Sequence, residues 1–218
     1  MPDLSFRVEA AEVVPFAAAP TIALKVRVDN AASEGEAIHT VALRAQIQIE
    51  TTRRRYVAEE REKLRDLFGT ADRWSQTLRS LLWTHASVVI PAFEATTVVD
   101  LQVPCTFDFN VAATKYFHGL REGEIPLNLL FSGTIFYDRG DAVLQAAPIP
   151  WNKEARFRLP VQVWRGMMDE YYPNTAWLAL ERGAFERLYD FKVRNGIATW
   201  EQALERLLAA AEQEPVPQ

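Results

Sequence analysis

The sequence predicts a mainly β protein of the α+β class: an antiparallel two-sheet β-sandwich with inserted helices and a C-terminal helical cap. Three observations carry this. Several segments alternate apolar and polar residues with a period of two. The longest of them, Ile38 to Glu50, runs into a charged segment whose apolar period is about three and a half. After Pro160 the apolar period is helical and stays so to Ala211.

The strands come in order. In Leu4–Val8 and Ile22–Val28 apolar and polar residues separate cleanly onto odd and even positions, the mark of a strand with one dry face and one wet face. Ile38 to Glu50 repeats this, with Val41, Leu43, Ala45, Ile47 and Ile49 on the dry side. Trp83 to Ile90, Val99 to Val103 and Ala155 to Val161 follow. Pro126 to Tyr137 is apolar at nearly every position and reads as a central strand covered on both faces. Asp138 to Asp141 supplies turn chemistry, so Ala142 to Pro148 returns as a hairpin. Eight strands are enough for two packed sheets.

The helices interrupt and then close the chain. One covers Val57 to Phe68 and continues through Asp72 to Leu82; a short one covers Val111 to Leu120. Val163, Trp164, Met167, Met168, Tyr171 and Tyr172 share a face of the next, which Pro173 ends. Phe185, Leu188, Tyr189 and Lys192 mark another, stopped by Asn195-Gly196, and Gly183 argues against starting it at Trp177. Thr199 and Gln202 fit a capping box for a last helix striped by Trp200, Leu204, Leu207, Leu208 and Ala211. Residues 1–161 are thus expected to form the sandwich, with its helical insertion near 57–82. Residues 162–212 form a cap packed on the same domain, and 213–218 a disordered tail.

Composition narrows the function classes. A chain of 218 residues can bury a self-sufficient core. The net charge of −5 is spread, with 6 Lys/Arg against 9 Asp/Glu in 162–218, so neither part is basic and nucleic acid is not the expected partner. Cys105 is the single cysteine, which rules out an intramolecular disulfide. The sequence opens on no charged-then-apolar leader and holds no apolar run of 18 residues. The expectation is a cytoplasmic protein without direct membrane insertion.

Chemistry is hard to find. His39, His85 and His118 stand singly, with no partner at a metal-ligand spacing. Cys105 lacks a local histidine or helix N-terminus to lower its pKa and reads as a buried thiol. There is no G-x-S-x-G elbow and no Gly-rich phosphate loop. No catalytic residue, metal site or cofactor is therefore assigned. Arg53-Arg54-Arg55 is the sharpest charge run, in a window (50–80) of 8 Lys/Arg against 6 Asp/Glu. Its guanidinium groups either pair with Glu59, Glu60 and Glu62 on the following helix or clasp an acidic partner. Of six tryptophans, Trp164 and Trp200 lie on apolar helix faces, whereas Trp151 sits in a proline-flanked loop and reads as a contact residue.

Long stretches of the chain resemble a bacterial family known as a domain of unknown function. They are RRRY at 53–56, LFG at 67–69, RWSQTLRSLLWTH at 73–85, PAF at 91–93, VPCTFDFNVAATKYFHGL at 103–120, PLNLLFSGTIFY at 126–137, PWNKEARFRLPVQVW at 150–164 and TWEQALERLL at 199–208. The resemblance spans roughly residues 4 to 208 and brings no catalytic residue with it. It implies an accessory role beside uptake NiFe-hydrogenase genes. One cysteine and no His-rich tract leave no ligand set for a cluster or nickel carrier.

The expected function is thus a non-catalytic accessory or adaptor protein that binds a protein partner or further copies of itself, with Arg53, Arg54, Arg55 and Trp151 as candidate contacts. The alternative is a hydrolase or small-ligand-binding protein with a pocket between sandwich and cap, where His85 or His118 meets a carboxylate. A third reading, carbohydrate binding, needs two coplanar exposed tryptophans.

Overall fold

The computed structural model describes residues 2–31, 37–106, 111–138, 143–175 and 178–213. The turn expected at 138–141 falls outside the described residues from 139 onward, as do Trp177 and the tail from 214. The chain divides into two compact units, Met1–Thr175 and Ala176–Gln218.

Period-two alternation builds the larger unit. Among its described residues the strands are β1 (Leu4–Val13), β2 (Thr21–Asn30), β3 (Ala37–Ile49), β4 (Leu81–Ile90), β5 (Thr96–Pro104), β6 (Glu124–Asp138), β7 (Leu144–Pro148) and β8 (Glu154–Pro160). They form two antiparallel sheets, β1-β2-β5 and β4-β3-β6 followed by β7 and β8. The 15-residue β6 pairs with β3 along almost its whole length. On its other edge β8 takes the first half and β7 the second, end to end. The dry positions of β3 (Val41, Leu43, Ala45, Ile47, Ile49) are buried and meet Ile22, Leu24, Val26, Leu101 and Val103 in one core. Phe6 of the small sheet stacks on Phe131 of the large one at 4.4 Å. The wet face of the small sheet carries exposed ion pairs instead, such as Lys25–Asp100 at 2.8 Å.

Strand β6 is central, as its apolar run predicts, but it is not covered on both faces. Asn128, Leu130, Thr134 and Phe136 are half-buried and Ser132 is exposed. Its Ser132-Gly133 step is explained by crowding: Gly133 has φ 143°, and a Cβ there would lie 2.0 Å from the Ala42 carbonyl oxygen.

The insertion is several short helices and not one long one: α1 (Ala58–Lys63), α2 (Arg65–Phe68) and α3 (Trp74–Thr77). Gly69, at φ 73°, turns the chain after α2, and β4 has already begun at Leu81. Helix α4 (Val111–Gly119) buries Ala113, Tyr116 and Phe117. Helix α5 (Val161–Tyr171), the first of the expected cap, belongs to the larger unit. It buries Trp164, Met167 and Met168, and its Tyr171 hydroxyl donates to the Ala17 carbonyl at 2.9 Å.

The smaller unit holds α6 (Arg182–Arg194) and α7 (Trp200–Gln213). Gly196, at φ 62°, lets the Ile197 N–H bond back to the Lys192 carbonyl at 3.0 Å, so α6 ends in a Schellman-type turn. The Thr199 hydroxyl accepts from the Gln202 N–H at 3.2 Å and caps α7 as the sequence predicts.

Candidate functional site

Two places gather the residues singled out above: the junction where β3 passes into the insertion, and the turn between β7 and β8.

The junction begins where β3 ends. The Glu50 N–H donates to the Pro126 carbonyl at 2.8 Å and a tight 3-10 turn, Thr51–Arg53, follows. The next side chain, Arg54, goes inward, with only 9% of its surface exposed. Its guanidinium donates to Glu60 Oε1 at 2.7 Å and to the carbonyls of Glu122 and Glu124 at 2.6 and 2.7 Å. Glu60, 3% exposed, also accepts from the Arg121 N–H at 2.9 Å. A buried charge pair holds only when such extra bonds satisfy both groups. Within the pair, Arg54 Nε is buried with no acceptor. The pair thus clamps the insertion to the α4–β6 connection.

Beneath it lies a second polar link. The Tyr56 hydroxyl donates to the Thr51 carbonyl at 2.7 Å and lies 2.8 Å from the Tyr116 hydroxyl. Burial pushes Tyr56 up to about 12 and moves Tyr116 upward as well, so both stay neutral phenols. Aromatic rings continue from there: Tyr56 to Trp74 (5.1 Å), Tyr116 to Phe117 (6.0 Å), and Phe117 to Trp83 (4.9 Å) and Trp164 (5.3 Å). Four of the stretches that carry the family resemblance, RRRY, RWSQTLRSLLWTH, VPCTFDFNVAATKYFHGL and PWNKEARFRLPVQVW, meet in this cluster. Edge-to-face and tilted rings of this kind stabilise packing. The cluster is a core for the helices and offers no reactive group.

The three arginines therefore part company. Arg54 takes Glu60; Arg53 pairs with Glu50 at 3.0 Å; Arg55 is exposed. Glu59 pairs with Lys63 and Arg121, and Glu62 with Arg65. Arg53 also borders an open groove of about 430 Å³, lined by Glu50, Pro126, Leu127, Arg156, Phe157 and Arg158. Arg156 and Arg158 approach Glu154 and Glu124 only to 3.8 and 3.6 Å, beyond hydrogen-bond range.

Trp151 occupies the turn between β7 and β8 and is 93% exposed. Its backbone setting is firm. The Ile149 N–H donates to the Gly133 carbonyl and the Phe131 N–H to the Lys153 carbonyl, both at 2.9 Å, and Lys153 N–H closes the turn onto Pro150 at 3.2 Å. Lys153 Nζ pairs with Asp3 at 2.7 Å.

The candidate pocket residues have different neighbours. His85 is exposed on β4, with Nε2 3.4 Å from Gln46 Oε1. His118 sits edge-on to Trp164 at 4.8 Å; desolvation and the nearby Arg165 hold its imidazole below the usual value. His39 is exposed on β3. Among the described residues none of the three pairs with a carboxylate, and no three His, Cys, Asp or Glu stand where they could share a metal ion. Cys105 is buried, its thiol donating to the Val103 carbonyl at 3.3 Å, and burial pushes it up to about 12. Beside it a cavity of about 10 Å³, lined by Trp83, Thr106, Thr114, Phe117 and Trp164, has room for roughly one water.

Sequence reasoning offered Glu60 as an arginine partner but missed its burial, and it missed Tyr116 altogether. For the burial of Glu60 a signal existed. Tyr56, Glu60, Leu64 and Phe68 are spaced by four and all buried, so a carboxylate stands on the dry stripe of the insertion.

A family model matches residues 1–216, essentially the whole chain. The chain belongs to a family of unknown function, DUF6084. No curated protein matches the sequence. Among solved structures, the CARDB domain of a Pyrococcus furiosus protein, in complex with di-metal ions, shares 15% identity. That match covers 73% of this chain and 92% of the other, at a TM-score of 0.28. A β-glucosidase from Kluyveromyces marxianus shares 10% identity over 72% of this chain and 15% of its own, at a TM-score of 0.23. Likenesses at such scores carry no argument about this DUF6084 chain. No helix of its described residues is long and apolar enough to cross a membrane.

Proposed function

We propose that this protein is a non-catalytic adaptor that holds a protein partner, and that Trp151 anchors the contact. The observation that carries the reading is the exposure of Trp151 on a turn fixed by backbone bonds on both sides. An indole left in water is unfavourable, and one that is already positioned loses little entropy on docking. Tryptophans of this kind dominate binding energy at interfaces. Arg53 and Arg55 supply exposed charge; Arg54 is a positioning residue for them and not a contact. A cytoplasmic, bacterial, hydrogenase-type complex is the assembly to test first.

The test is affinity capture of the tagged protein from its native host, with Trp151→Ala alongside. A stoichiometric partner that disappears with Trp151→Ala supports the reading; a partner held equally by both proteins removes Trp151 from the interface.

The groove between Arg53 and β8 favours a second reading, a small anionic ligand. Arg156 and Arg158 there have hydrogen-bond donors not engaged by Glu154 and Glu124, and guanidinium forks suit carboxylate or phosphate. Phosphate titration followed by NMR would reveal it as shifts confined to the groove, and shifts spread over every surface arginine would discard it.

A further inference from the structure

The smaller unit contains two amphipathic helices and almost no core. Among its described residues, Ala203 alone is fully buried. On α6, Phe185, Tyr189 and Val193 recur at every fourth position; on α7, Leu204, Leu207 and Leu208 fall at the three- and four-residue spacing of one helix face. All six are exposed. Trp200 joins the two stripes, with its ring 5.4 Å from Phe185 and 6.1 Å from Tyr189. Helices of 13 and 14 residues are too short to be stable on propensity alone, so the apolar face needs a cover.

Area and charge indicate which cover fits. At roughly 200 Å² per large side chain, weighted by exposure, the six residues present on the order of 600 Å². Two copies would remove roughly 1,200 Å² from water, where specific interfaces begin. Residues 178–213 carry 6 acidic and 5 basic side chains, a net of −1, so two copies meet without appreciable repulsion. A strongly charged partner would find no complementary field here.

We infer that the α6–α7 hairpin is a homodimerisation element, two copies packing about a two-fold axis into a four-helix bundle with these stripes as its core. A two-fold interface applies the same patch twice, and paired hairpins are the simplest route to a closed bundle. This deepens the adaptor reading by assigning a second copy of the chain to a face remote in sequence from Trp151. Either assignment can fail without the other.

The test is sedimentation of the full chain over about a hundredfold range of concentration, together with the concentration dependence of Tm, which a dimer shows and a monomer does not. The expected result is a monomer–dimer equilibrium with a rising Tm. The double variant Leu204→Glu, Leu208→Glu should weaken the dimer at least roughly tenfold. Leu208→Met and Trp151→Ala should leave it unchanged. A monomer at every concentration with a constant Tm overturns the inference. So does a dimer indifferent to the two glutamates, one dissociated by Trp151→Ala, or an open ladder of higher species.

Discussion

The insertion and the C-terminal hairpin make opposite use of helices. Helices α1 to α3 are four to six residues long, yet Tyr56, Glu60, Leu64 and Phe68 beneath them are buried. Helices α6 and α7 are 13 and 14 residues long, the first closed by a Schellman-type turn and the second capped by Thr199, and bury one alanine. Helix length and capping set how readily a helix forms; tertiary contact sets how firmly it stays. The insertion should therefore behave as part of the sandwich, and the hairpin as a separate and softer element.

The hardest test of that contrast is Glu60→Ala. Removing the carboxylate strands the Arg54 charge in a buried site, and such losses cost about 3–5 kcal/mol. Urea unfolding should show it, and Arg54→Met with Glu60→Leu should recover much of it. A cost under about 1 kcal/mol would mean that the clamp is not what holds the insertion.

Cys105 offers a reporter for the same contrast. Its thiol is buried and held protonated by a pKa near 12, so labelling at pH 8 requires opening of the larger unit. Glu60→Ala should speed labelling by at least roughly a hundredfold, following the stability lost. The hairpin variant should leave the rate unaltered, and acceleration there would couple the two units.

Next in size is Tyr56→Phe, which leaves the Thr51 carbonyl and the Tyr116 hydroxyl short of a partner and should cost about 1–3 kcal/mol. It also carries a pH signature. The folded state holds the Tyr56 proton up to about 12, while the unfolded phenol releases it near 10. The unfolded chain then binds fewer protons, so stability is full below pH 10 and falls as pH rises from 10 toward 12. Tyr56→Phe should flatten part of that slope, and an unchanged slope would assign it elsewhere. The smallest effect on stability belongs to Trp151→Ala, within about 0.5 kcal/mol by thermal unfolding, because nothing packs on a side chain this exposed.

The strands were legible because a half-buried sheet writes its pleat into the sequence. Val41 to Ile49 alternates as it does because one face meets the small sheet. The break at Gly69 was less legible, because a charged, helix-favouring run hides where tertiary contacts shorten it. The fate of Arg53-Arg54-Arg55 was legible only in part: pairing with the carboxylates of the next helix holds for Arg54 and Glu60, but which arginine turns inward did not show. Three identical residues were separated by backbone direction and by carbonyls of residues 122 and 124, some 70 positions away, which no local pattern reports. The exposure of Trp151 was legible through its prolines, whereas Tyr116 was hidden by an α4 segment apolar on most sides.

The four-residue spacing of Tyr56, Glu60, Leu64 and Phe68 also constrains how this chain can vary in length. One residue added within α1 ahead of Glu60 would rotate the rest of that helix by about 100° around its axis. Glu60 would swing toward solvent, Arg54 would lose its counter-charge, and a different residue would face Tyr116. Related chains are then expected to hold this segment at constant length and to place their insertions after Gly69, where α2 ends and the chain turns.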